Sequence, residues 1–276
     1  MSFAFPGETS LDYLPCRYGR SKLLFRGPRR DLTAPYAAVL GGGETYGKYV
    51  ARPFPALVEA ALGLPVVNLG ALNAGPDAWA QDATVGEIAS RARVTVVQVT
   101  GAQNLTNRFY AVHPRRNDRF LRASPLLASI YREVDFTEFN FTRHMVQSLY
   151  RASPEKFAIV ADELRAAWVA RMSALLPRLG PRVVLLWMAG HGAGDACDDP
   201  VDEPLLVGRA MIDALRQRVA AVVEVAFSAE ARDEGVEGMI FPPLAEPAAR
   251  TMPGPKQHAE VADALCAALK PLLGGG

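Results

Sequence analysis

The chain has 276 residues, with 30 Lys and Arg against 29 Asp and Glu and a formal net charge of +1. That length buries one sizeable core with room for a cap. The charge balance argues against a general binder of nucleic acid or another polyanion, so any electrostatic function is local.

Three cysteines, Cys16, Cys197 and Cys266, are odd in number and far apart, which suits reduced thiols better than a disulfide frame. No window approaches the roughly 20 apolar residues of a membrane span. The expectation is a cytoplasmic protein without a membrane partner. Only 5 of the 30 basic residues are Lys. The excess of Arg suits bidentate anion recognition and equally fits a codon bias.

In chain order, residues 1–33 carry Arg17, Arg20, Lys22, Arg26, Arg29 and Arg30 and end in the turn signal Pro28-Arg29-Arg30-Asp31, which reads as a basic arm lying on a domain at 34–276. A strand at 36–40 runs into Gly41-Gly42-Gly43, and a helix at 55–62 precedes a short strand at 65–69 that closes on Gly70. One helix is predicted at 76–92, with Asp77 and Asp82 early and Arg91 late as the helix dipole prefers. A third strand at 94–99 leads to Gly101. Strand, glycine turn and helix recurring at this spacing are the mark of βαβ units and a parallel sheet.

From about 105 to 152 the pattern loses its period and fills with Arg and aromatic residues, which reads as an inserted Arg-rich loop-and-helix cap. Ser153-Pro154-Glu155 is a helix start, with Ser as N-cap and Pro at the first helical position. Strands at 182–187 and 222–226, a helix at 205–219 and a closing helix at 256–273 complete the chain. The predicted fold is α/β: a flavodoxin-like three-layer α/β/α domain with a five-stranded parallel sheet and an inserted helical cap. Ligands of such sheets bind past the carboxyl ends of the strands.

The segment from Gly41 to Lys48 stands at that edge. Its letters satisfy GxxxxGK from Gly42 to Lys48, but Tyr49 replaces the Ser or Thr of a phosphate loop and Pro53 blocks the long helix that should follow. No nucleotide or other cofactor is expected. His191, Asp195, Cys197, Asp198 and Asp199 have metal-ligand chemistry in a spacing that fits no closed zinc pattern, so the loop reads as solvated and no metal is expected. His144, on an apolar-flanked helix, reads as a packing histidine.

Leu40-Gly41-Gly42-Gly43-Glu44-Thr45-Tyr46-Gly47 resembles the opening LGDSxTYG block of the SGNH (GDSL-type) hydrolases, with Gly42 at the Asp and Gly43 at the nucleophilic Ser. The stretch from Asn68 through Gly70 to Asn73 is similar to the family's NxGxxG block, and Gly101-Ala102-Gln103-Asn104 to its GxND block. The closing DxxHxxPxGH block falls on 249–258, where Pro255 and His258 match the trailing Pro and His. There Ala249 stands for the Asp and Met252 for the catalytic His. The run of motifs is also similar to a family of alphaproteobacterial proteins.

The resemblance implies an esterase-like cleft without its triad: a catalytically degenerate protein that binds a small polar or anionic ligand, a glycan being the class its substrates suggest. On these blocks the ligand-binding candidates are Gly43, Glu44, Thr45, Asn68, Gly70, Asn73, Gln103 and Asn104. Arg108, Arg115 and Arg116 join them at the start of the insertion, where guanidinium groups could hold an anion. Solvated charge is the plainer reading of that run.

One alternative is an acyl- or group-transfer enzyme with Thr45 as nucleophile and Glu44 or His258 as base. In plainer readings Thr45 caps a turn and Glu44 is a solvated turn residue. Another alternative is a protein that recognises surface polysaccharide.

Overall fold

The computed structural model describes residues 11–195 and 199–274. β1 (Ala37–Gly41), β2 (Val66–Gly70), β3 (Thr95–Gln98), a strand at Val183–Ala189 and one at Ala221–Ala226 form a five-stranded parallel sheet. The first four of these strands are rich in valine and leucine and are buried on both faces, as an all-parallel sheet between helical layers requires, whereas the edge strand at Ala221–Ala226 leaves Glu224 and Ala226 exposed. Between β3 and the strand at Val183–Ala189 the insertion contributes two short strands, β4 (Tyr110–His113) and β5 (Arg116–Ala123). The later sheet strands are therefore β6 (Val183–Ala189) and β7 (Ala221–Ala226), and the sheet order is β2-β1-β3-β6-β7.

Helices α1 (Gly43–Tyr46), α2 (Phe54–Leu62), α3 (Pro76–Gln81) and α4 (Ala83–Arg91) lie in the first half. Next come α5 (Pro125–Ile130), α6 (Thr142–Ala152) and α7 (Pro154–Leu175), then α8 (Arg209–Leu215), α9 (Ala229–Asp233), α10 (Glu246–Ala249) and α11 (Pro255–Gly274).

Alternating strand residues face two cores. Ala37, Val39, Val96, Val184 and Leu186 pack with Phe54 and Val58 of α2 and Val261 and Leu265 of α11. Leu40, Leu69, Val97, Leu185 and Trp187 face the larger core, with Trp79 of α3, Ile88 of α4 and Trp168 of α7. Three layers result.

The predicted elements hold in order, with four corrections. The single helix at 76–92 is two, because the Asp82 carboxylate turns back to accept the amides of Thr84 and Val85 at 3.0 and 3.1 Å and so starts a new helix. The helix at 205–219 shrinks to α8, since Leu205, Leu206 and Val207 are buried before it and Leu206 has φ +62°. The cap is not purely helical. It opens with the antiparallel β4-β5 hairpin, whose register shifts on both sides of Val112.

The N-terminal segment, finally, is packed in. Cys16 and Phe25 form a β-bridge, and Tyr18, Leu23 and Phe25 are buried in the larger core. None of the described helices is long and apolar enough to cross a membrane.

Candidate functional site

Gly41 and Gly70 lie side by side in the β1-β2 register, and the chain beyond β1 makes one turn of helix, α1, before Gly47 stops it in the left-handed conformation at φ +72°. That turn is tied to the end of β3. The Gln98 Oε1 accepts the Thr45 hydroxyl at 2.7 Å and the Gly42 amide at 3.0 Å, while its Nε2 donates to Glu44 Oε2 at 3.0 Å. One carboxamide thus fixes three positions of the turn, Gly42, Glu44 and Thr45, and holds the Glu44 carboxylate at the cleft.

Beyond it opens a cleft of about 720 Å³ across the carboxyl edges of β1, β3 and β6, within the range of small-molecule sites. Gly42, Gly43 and Glu44 line it from α1, Asn73 and Ala74 from the turn after β2, and Gly101 and Asn104 from the turn after β3. Met188, Glu203, Arg232 and Met252 come from the carboxyl-terminal half. A smaller lobe of about 390 Å³ adjoins it, sharing Asn104, Asp118 and Glu203 and adding Gln103, Phe141 and Arg143 from the cap side.

The structure brings Gly43, Glu44, Asn73 and Asn104 to the main cleft and Gln103 to the lobe. The other candidates lie elsewhere. Thr45 is fully buried with its hydroxyl committed to Gln98, so neither the nucleophile reading nor the turn-cap reading fits its position. Asn68 braces the turn from behind: its Nδ2 donates to the Thr45 carbonyl at 2.9 Å and its Oδ1 accepts the Gly70 amide at 2.9 Å. Gly70 is bare because a Cβ there would run into the backbone of Thr45 and Tyr46.

His258 cannot serve as a base at this cleft, because it is a core residue. Its Nδ1 accepts the Phe54 amide at 3.1 Å, its ring stacks on Phe54, and burial, with the nearby Arg26 charge, pushes it down to about 3.

The Arg-rich mouth also disperses. Arg108 pairs with Glu163 of α7 at 3.0 Å, and Arg115 and Arg116 are exposed at the hairpin turn and line neither cavity, although the Arg116 charge is felt at Asp118. His144 is exposed, edge-on to Phe139, rather than packed inside. In the loop after β6, His191 reaches the cleft wall, whereas Cys197 and Asp198 lie outside the described residues. Among the described residues no group of three or more His, Cys, Asp or Glu is placed to hold a metal ion.

Sequence reasoning missed Gln98, Asp118 and Glu203. Gln98 carried a signal, as the lone amide in the apolar run Val94-Thr95-Val96-Val97-Gln98-Val99. Asp118 and Glu203 carried none. The Asp118 carboxyl is pushed up by burial, against the pull of Arg119, and its Oδ1 has no hydrogen-bond partner.

Glu203 is also pushed up, by desolvation first, with the Glu44 charge adding to it against the pull of the Leu205 amide and Arg143. Although 42% of its side chain is reached by solvent, it stands inside a concavity walled by protein, where water solvates a charge poorly.

The positions that the SGNH resemblance assigns to nucleophile and base do face each other. A Cβ built on Gly43 would sit 3.5 Å from the Met252 Sδ and 3.8 Å from Leu72 Cδ2, in ordinary contact. Neither residue has an ionisable or nucleophilic group.

Fold and cleft together define a doubly wound α/β domain with a cleft at the carboxyl edge of the sheet, the edge at which such folds place their ligands. Residues 1–273 match the family described as a domain of unknown function, DUF6473, and the chain belongs to that family. No curated protein matches it in sequence.

Among solved structures, the lipase Lip_vut3 from a goat rumen metagenome aligns at TM-score 0.46 and 12% identity over 85% of this chain and 97% of that one. LAE5, an alpha/beta hydrolase enzyme from the metagenome of Lake Arreo, Spain, aligns at TM-score 0.42 and 15% identity over 87% and 96%. A Corynascus thermopiles (Myceliophthora fergusii) carbohydrate esterase family 2 enzyme with a carbohydrate binding domain aligns at TM-score 0.43 and 13% identity over 90% and 69%.

Proposed function

We propose that the protein is an SGNH-like domain that has given up serine-esterase chemistry and holds a small polar ligand in the cleft at the carboxyl edge of its sheet. The observation that carries this reading is the Gly43 and Met252 pair: the two positions that would supply nucleophile and base meet across the cleft, and both lack the chemistry. Acyl transfer to a side chain needs an activated nucleophile within reach of a base. The buried Thr45 hydroxyl and the core His258 offer neither, which weighs against the group-transfer reading.

What the cleft retains is polar recognition. Glu44, held by Gln98, lines the cleft together with Asn104, Asp118 and Glu203. Met252, Met188 and Leu72 add apolar surface to its wall.

The test is a thermal-shift screen of the purified protein against neutral sugars, amines, and sulfated and phosphorylated metabolites, repeated with Glu44→Gln and with the exposed pair Arg115→Ala/Arg116→Ala. A rise in melting temperature that Glu44→Gln removes and the arginine pair leaves intact supports the reading. Turnover of 4-nitrophenyl acetate by the unmodified protein, or a shift abolished by the arginine pair alone, overturns it.

A further inference from the structure

The hairpin of the insertion has one face on the core and one in water. Residues 139–141 widen it, since Arg119 and Phe141 form an antiparallel bridge and the Phe120 amide donates to the Asn140 carbonyl at 3.1 Å. Tyr110, Val112 and Phe120 point inward and belong to the larger core. Successive strand residues alternate and cross-strand partners share a face. Arg119, beside Phe120 and opposite Phe141, and Arg122, opposite Ala111, therefore fall on the outer face. Phe141 is 43% exposed there, and Leu121, at the shift in register, is 55% exposed.

Four arginines surround these apolar side chains. Arg115, Arg116 and Arg122 are exposed, and the Arg119 guanidinium lies over the Phe141 ring at 4.4 Å. Between 110 and 123 the one acidic residue is Asp118, which lines the cleft and whose carboxyl is pushed up by burial. Among the described residues none of the four arginines forms an ion pair, whereas Arg30, Arg209 and Arg250 each meet a glutamate at 2.6 Å.

A partner for this face has to answer both its charge and its apolar surface. An acidic sugar polymer answers the arginines and leaves Leu121 in water. A nucleic acid base needs a bare aromatic ring to stack on, and the Phe141 ring is taken by Arg119. The surface of an anionic bilayer answers both, because guanidinium groups bind phosphate in bidentate fashion while neighbouring apolar side chains enter the boundary between headgroups and acyl chains. The sequence-based expectation of no membrane partner rested on the lack of a spanning segment, which lying on a bilayer does not require.

We propose that the outer face of the β4-β5 hairpin docks on an anionic phospholipid surface, with Arg115, Arg116, Arg119 and Arg122 at the phosphates and Leu121 and Phe141 in the boundary layer. The face is separate from the cleft, so this proposal and the binding function stand or fall independently.

The experiment is co-sedimentation of the full chain with vesicles of phosphatidylcholine alone and of phosphatidylcholine with phosphatidylglycerol in equal parts, with melts to confirm that each variant folds. The chain should bind the mixed vesicles and leave the neutral ones. Each arginine near an anionic surface adds about fivefold to partitioning, so Arg116→Ala/Arg122→Ala should bind the mixed vesicles roughly twentyfold more weakly. Arg17→Ala/Arg20→Ala removes the same charge from exposed positions of the N-terminal segment and should change binding by less than about twofold.

Insertion is read separately. Trp79, Trp168 and Trp187 are at most 1% exposed, so Leu121→Trp adds an indole in water to three that are buried. Its emission should move to the blue on mixed vesicles. Equal losses from the two arginine pairs, equal binding to neutral and mixed vesicles, or unmoved Leu121→Trp emission on vesicles that carry the chain down overturns the proposal. So does failure to bind the mixed vesicles, including the case in which the chain binds heparin, a soluble polyanion, instead.

Discussion

The Thr45 hydroxyl donates to Gln98 Oε1 at 2.7 Å, and through that bond the end of β3 governs the shape of the turn after β1. Gln98 is 4% exposed, and among the described residues no other side chain holds the Gly42 amide. Gln98→Leu would leave the Thr45 hydroxyl and the Gly42 amide buried without acceptors and release Glu44. A loss of roughly 2–6 kcal/mol in urea unfolding is expected, at about 1–3 kcal/mol for each orphaned group. Thr45→Val removes one bond and should cost about 1 kcal/mol while leaving the ligand-induced melting shift in place. If Thr45→Val abolishes that shift at unchanged stability, Thr45 does more than hold the turn.

Position 43 tolerates a side chain. Its backbone is not in the left-handed region, and the nearest atoms to a Cβ are Met252 Sδ at 3.5 Å and its Cε at 3.6 Å. Gly43→Ser should change stability by less than about 1 kcal/mol and should not by itself hydrolyse 4-nitrophenyl acetate. Gly43→Ser with Met252→His should give turnover up to about 10²-fold above the single variant, the lower end of what a positioned base contributes. A folded but inert double variant would show that the two positions do not meet productively.

His258 makes stability pH-dependent with a definite sign. Burial lowers it from 6.5 to about 3 in the folded chain, so between those values the unfolded chain binds a proton that the folded chain refuses. The stability contributed by keeping it neutral is full above pH 6.5, declines as the pH falls, and levels off below about 3, with a slope of at most about 1.4 kcal/mol per pH unit. Asp118 and Glu203, both raised, act in the opposite direction, so the readout is the difference between the unmodified chain and His258→Asn, which can still accept the Phe54 amide. Urea unfolding between roughly pH 4 and 6 should show the flatter slope in His258→Asn. Parallel slopes would mean that His258 titrates normally.

Arg26 ties the N-terminal segment to the site. It is 7% exposed and donates to the Gly47 carbonyl at 2.6 Å, the Ala51 carbonyl at 2.8 Å and the Tyr46 carbonyl at 3.3 Å. Arg26→Ala should cost about 3 kcal/mol or more, because three carbonyls in a part-buried loop lose a charged donor, and Arg26→Lys should recover only part of it. Equal urea midpoints for Arg26→Ala and the unmodified chain would place this loop's stability elsewhere.

How much of this was legible depended on how local its cause was. The glycines ending β1, β2 and β3 and the Ser153 cap, whose hydroxyl accepts the Lys156 amide at 3.3 Å, act within a few residues, and the parallel sheet followed from them. The split at Asp82 is also local, yet Asp82 read equally well as a favourable first-turn charge. The β4-β5 hairpin was hidden because its register shifts break the alternation that marks a strand. The Arg run was visible, but only packing showed Arg108 turning to Glu163 and Arg26 turning inward.

By itself the sequence determined an α/β domain with a five-stranded parallel sheet and the glycine turns at the carboxyl edge of its strands, since these reside in short runs of neighbouring residues. The tertiary structure alone decided which polar groups meet there. Gln98 reaches back 53 residues to Thr45, and Gln103 reaches forward 100 residues to Glu203. Such pairs are set by where the sheet brings strand ends together, which no local pattern of residues records.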